Sequence, residues 1–113
     1  MSFYIWVTRR TNGEPDYGNA IYENGLASED VGWEYFLNPA AELKLPLLAR
    51  LREVKVEGAQ LAQLAQELDT LAAWWVRQGH IVSDIGEYLK QRSGHLRAAI
   101  EVAQREDAVL HVV

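Results

Sequence analysis

Three histidines, the carboxylates Asp84 and Glu87 and four serines are the first residues of this 113-residue chain to weigh for chemistry. His80 follows Gly79, His95 follows Ser93-Gly94, and His111 lies in the closing run Ala108 to Val113. A metal needs ligands spaced to converge, such as two histidines one helical turn apart. No two of these have that spacing, and the chain has no cysteine to supply a thiolate. Neither a metal nor a cofactor is expected. Asp84 and Glu87 stand three residues apart, so on a helix they share a face. Such a pair does acid–base work only where burial drives its two pKa values apart. The plainer role is Asp84 as a cap and Glu87 at the positive end of a helix. None of Ser2, Ser28, Ser83 and Ser93 sits in a Gly-x-Ser-x-Gly elbow, and no Gly-rich phosphate loop is present. Catalysis is therefore not the expected role.

Binding chemistry is better supplied. Residues 1–38 hold eight of the eleven aromatics, and six acids against two bases, a net of −4. Among them Asp16, Tyr17, Tyr22, Glu23, Glu29, Asp30, Trp33, Glu34 and Tyr35 interleave carboxylates with amphipathic rings. Tyr and Trp supply contact area at low entropic cost, and carboxylates steer a basic partner. These nine residues are the predicted partner-binding set. The plainer alternative is that the rings roof the core while the acids keep the segment soluble. The chain as a whole has a net charge of −5. That disfavours nucleic acid, whose affinity rests on neutralising phosphates with Lys and Arg. Arg50, Arg52 and Lys55, and Arg92 with Arg97, read as solvated helix surface. Trp74-Trp75 reads as core, with Trp75 on the buried stripe.

The elements that position these residues follow from periodicity. Phe3 to Thr8 is β-branched and aromatic, hence a strand. Asn12-Gly13 is a turn, and Pro15, Gly18 and Asn19 predict an irregular loop or an edge segment. Ala20 to Glu23 reads as a second short strand closed by a turn at Asn24-Gly25. Ser28 to Leu37 carries two conflicting signals: a capped acidic helix start, and the alternation Val31, Trp33, Tyr35, Leu37 of a strand. Asn38-Pro39 is expected to end it. Pro46 opens a helix to about Val54. Leu61, Leu64, Leu68, Leu71 and Trp75 mark an amphipathic helix over residues 59–77, with Gly79 as its stop. A further helix runs from Ser83 or Asp84 to about Asp107, bent or divided at Ser93-Gly94, and Ala108 to Val113 is a closing strand. The fold class is α+β: a single domain over residues 1–113, in which a small sheet including both termini packs on three or four helices from the second half.

The longest apolar run, Leu71 to Val76, is far short of the roughly 20 residues of a membrane helix. No membrane partner is expected, and the missing cysteines fit a cytoplasmic location. In type the chain is similar to bacterial immunity proteins, which are short, acidic, catalytically inert and built to cover a basic toxin. Its strand-first layout, the stretch Asp16-Tyr17-Gly18-Asn19 and the closing helix-then-strand resemble the barstar family, although the order of elements between them does not match. The expected function is a non-catalytic binding protein of this kind. Two alternatives stay open. One is a homo-oligomeric accessory subunit, a homodimer for example, with the stripe of residues 61–75 facing a neighbour. The other is an enzyme or ligand-binding domain with Asp84, Glu87, His80 and His95 brought together by the fold.

Overall fold

The structure, a computed structural model, describes residues 2–113. The chain opens with a long hairpin of β1 (Ser2–Thr11) and β2 (Glu14–Ser28). Asn12 and Gly13 both take positive φ, the backbone that a tight two-residue turn requires. Pro15, Gly18 and Asn19 lie in β2, an edge strand of the sheet, which is the edge segment rather than the loop, and the expected turn at Asn24-Gly25 is instead part of β2. The irregularity that the sequence announces takes the form of register shifts along the β1–β2 ladder. A bulge absorbs an extra residue without ending a strand.

A continuous helical stretch follows: α1 (Glu29–Val31), a π-helical segment (Gly32–Leu37) and α2 (Asn38–Glu42). The Ser28 hydroxyl accepts from the Val31 amide, the cap that decides for helix over strand. Pro39 does not end it. A π segment already breaks the usual hydrogen-bond ladder there, with the Asn38 amide donating to the Trp33 carbonyl. Helix α3 (Pro46–Ala49) stops well before Val54. Its first amides, those of Leu47 and Leu48, donate to the Glu67 carboxylate at 3.0 and 2.9 Å, so a buried acid from another helix serves as its cap. The chain then forms β3 (Lys55–Val56), a strand too short to read from the sequence.

Helix α4 (Ala59–Arg77) has the predicted limits, and Gly79 beyond it takes a φ of +76°. Helix α5 (Gly86–Glu106) starts later than Ser83 and runs unbroken through Ser93-Gly94. Asp107 takes the left-handed conformation that turns the chain into β4 (Val109–Val112).

The sheet is antiparallel, in the order β2-β1-β4-β3, so the terminal strands lie side by side at its centre. Alternation divides β1 between two faces. Phe3, Ile5 and Val7 enter the core against the helices, together with Leu64, Leu68, Leu71, Leu89, Leu96 and Ile100. The stripe on α4 is thus spent inside its own chain. Trp75 is 1% exposed, and Trp74 packs at the margin of the core. Tyr4 and Trp6 point the other way, to the sheet face that carries no helix.

Candidate functional site

The nine predicted binding residues fall in several places. Asp16 turns inward on its own hairpin, accepting from the Thr11 hydroxyl and the Gly18 amide. Tyr17 sits across His111, ring centroids 4.9 Å apart, and stays 55% exposed. Tyr22 faces α5, where its hydroxyl donates to the His95 carbonyl. Glu23 lies on the open sheet face and accepts from the Tyr4 hydroxyl. Tyr35 packs edge-on against His80, half-buried beside the core. Of these five, Tyr17 shares a depression with Arg52 and Glu53, which also border Trp33, whereas Asp16, Tyr22, Glu23 and Tyr35 line neither that depression nor the one beside Trp33.

Glu29, Asp30, Trp33 and Glu34 do come together, on the first turns after Ser28. The Trp33 indole N–H donates to Glu29 Oε1 at 3.2 Å, and Arg52 donates to the same oxygen at 2.9 Å. These bonds, the one from Arg52 first, hold the Glu29 carboxyl below its ordinary pKa. The Arg52 guanidinium lies 4.3 Å from the centre of the Phe3 ring, and Phe3 meets Trp33 edge-on at 6.1 Å. Trp33 is therefore braced on two sides while 44% of it remains exposed. Beside it opens a shallow depression of about 290 Å³ lined by Trp33, Leu37, Ala49, Arg50, Arg52 and Glu53. Around this ring Glu29, Asp30, Glu34 and Glu53 stand against Arg50 and Arg52, a local net of −2. Asp30 and Glu34 form no ion pair among the described residues, whereas Arg52 pairs with Glu29 and Arg50 with Glu53. The uncompensated charge is negative.

Phe3 and Arg52 are members of this site that sequence reasoning missed. Arg52 reads as helix surface, and only the fold brings it 23 residues back to Glu29.

The other candidates do not converge. His80 lies between Tyr35 and Trp74. His95 Nδ1 is 2.9 Å from the Gly25 carbonyl, which also accepts from Arg92. Since a carbonyl only accepts, that nitrogen carries the hydrogen. Asp84 and Glu87 are both exposed, Glu87 beside Lys90. No group of three metal-ligating side chains occurs among the described residues, and no described helix is long and apolar enough to cross a membrane.

On the open sheet face the register sets four side chains in one row across all four strands. Glu23 pairs with Trp6, Trp6 with His111, and His111 with Lys55. His111 is only 5% exposed under Tyr17, and burial, with Lys55 beside it, lowers its pKa.

No protein-family model matches the chain, and no curated protein or solved structure matches it either.

Proposed function

We propose that this is a small non-catalytic binding protein, of the inhibitor type, that covers a basic protein with the surface around Trp33. The observation that carries the reading is an exposed tryptophan locked by Glu29, Arg52 and Phe3 and flanked by the carboxylates of Asp30 and Glu34, which form no ion pair among the described residues. A large ring held in place before binding loses little entropy on docking, which is what makes tryptophan an effective interface anchor. The net −2 around it complements a basic surface and speeds encounter. The set of nine narrows, in this proposal, to Glu29, Asp30, Trp33 and Glu34.

The test is calorimetric titration of the partner recovered from native lysate. Trp33→Ala should weaken binding at least about thirtyfold, the size of a hot spot. Asp30→Lys with Glu34→Lys should weaken binding and reduce its salt sensitivity. Unchanged affinity in both variants rules the surface out.

A further inference from the structure

We propose that the open face of the sheet pairs with the same face of a second copy of this chain. This surface adjoins the one around Trp33 through Arg52 and Glu53, but the pairing does not use Trp33.

The face carries Tyr4, Trp6 and Tyr17, with Val113 at its end. Tyr17 and Val113 are 55% and 53% exposed, whereas Thr8, Val109 and His111, which fall on the same face by alternation, are at most 5% exposed, His111 beneath Tyr17. An apolar hollow of about 250 Å³ lies between Trp6, Tyr17, His111 and Val113. Exposed aromatic and apolar side chains gathered around an apolar hollow mark a surface that a partner covers.

The charges on that face identify the cover. The row Glu23–Trp6–His111–Lys55 has an acid on one outer strand and a base on the other. At about 4.8 Å per strand, the two charged positions stand about 14 Å apart. When two copies meet face to face, their two-fold axis lies in the plane between them. With that axis along the strands, between β1 and β4, the row is laid on its own reverse. Glu23 of each copy then meets Lys55 of the other, and Trp6 meets the Tyr17 ring that covers His111. The same operation sets Tyr17, which stands above His111 on one half, over the Trp6 half of the other copy. An unrelated partner would have to supply this pattern, whereas a second copy already has it. Within one chain neither charge forms an ion pair among the described residues: Glu23 accepts only from the Tyr4 hydroxyl, and Lys55 lies 5.6 Å from the Tyr17 ring. Both side chains are exposed, so reversing either leaves the core untouched.

Sedimentation velocity of the full chain from about 1 to 200 µM tests this, a span that brackets weak homodimers. The wild type should move from monomer to dimer over that range. Glu23→Lys and Lys55→Glu should each weaken the dimer at least about tenfold by setting like charges opposite each other. Mixing the two single variants should restore dimer, because both contacts between unlike copies then set an acid against a base. The chain carrying both reversals should dimerise as the wild type does. Circular dichroism checks the fold of each variant, and the milder Glu23→Gln and Lys55→Gln serve if a reversal does not fold. Trp33→Ala should leave the dimer intact, which separates this surface from the proposed partner site. A wild type that stays monomeric at about 200 µM overturns the proposal, and the face then belongs to another occupant. Single reversals without effect, or a mixture that stays monomeric, overturn it equally.

Discussion

Trp75 on α4 donates its indole N–H to the backbone carbonyl of Tyr35, 2.8 Å away. The residue four positions after Tyr35 is Pro39, which has no N–H to offer that carbonyl. A buried carbonyl without a partner is costly, and the indole supplies one from a different helix. Trp75 also meets Phe36 edge-on at 5.1 Å, so one side chain fills the core and completes the backbone. Trp75→Phe should therefore cost about 2–4 kcal/mol in denaturant unfolding, more than its lost volume alone. In a Pro39→Ala background the helix regains an N–H at that position, and the same change should cost about 1 kcal/mol less. Equal costs in the two backgrounds would show that the carbonyl plays no part.

The sequence makes α4 legible because Leu61 to Trp75 hold one helical period over about four turns. It makes a strand at each terminus legible because Phe3 to Val7 and Ala108 to Val113 are strongly β-forming, whereas their place at the centre of the sheet is set by the fold. The stretch after Ser28 is ambiguous for a physical reason: a π segment widens the turn and blurs the apolar period that separates helix from strand. Val54 and Ser83 mislead because Leu51 and Val54 continue an apolar spacing through turns, and Ser83 is spent on the His80 carbonyl. The site around Trp33 is half legible. Glu29, Asp30, Trp33 and Glu34 are neighbours in the chain, so composition finds them. Phe3 and Arg52 reach the ring only through the fold. Tyr22 and Tyr35 have the same residue type as an exposed anchor, and only strand parity and helix facing turn them inward.

Two glycines in helical segments should respond to alanine in opposite directions. A Cβ on Gly32 would run into the Phe3 ring, which itself is held by Arg52 and Trp33. The ring has nowhere to go, so Gly32→Ala should destabilise by about 1–3 kcal/mol, the usual range for overpacking. Gly94 lies inside α5 with nothing within 4 Å of its would-be Cβ. There alanine only lowers the backbone entropy of the unfolded chain, and Gly94→Ala should stabilise by about 0.5–1 kcal/mol. Thermal unfolding of the two variants reads both signs. A stabilised Gly32→Ala would mean that the close approach of the π segment to β1 is not required.

His111 sets a pH dependence whose direction follows from where its ring lies. Tyr17 covers it on the open face, and its Nε2 has no hydrogen-bond partner among the described residues. Lys55 stands beside it on β3, while Arg52 and Glu53 line the adjoining depression. Burial first, and Lys55 second, lower its pKa from the usual value near 6.5. Above that value His111 is neutral in both the folded and the unfolded chain, so its contribution is constant. Below it the unfolded chain takes up a proton that the folded chain resists, and stability falls with pH until the folded pKa is passed. The unfolding free energy should therefore decline from pH 7 towards pH 5, before most carboxylates titrate. His111→Gln, which cannot take up that proton, should flatten the decline. A slope that the substitution leaves unchanged would assign the effect to other groups.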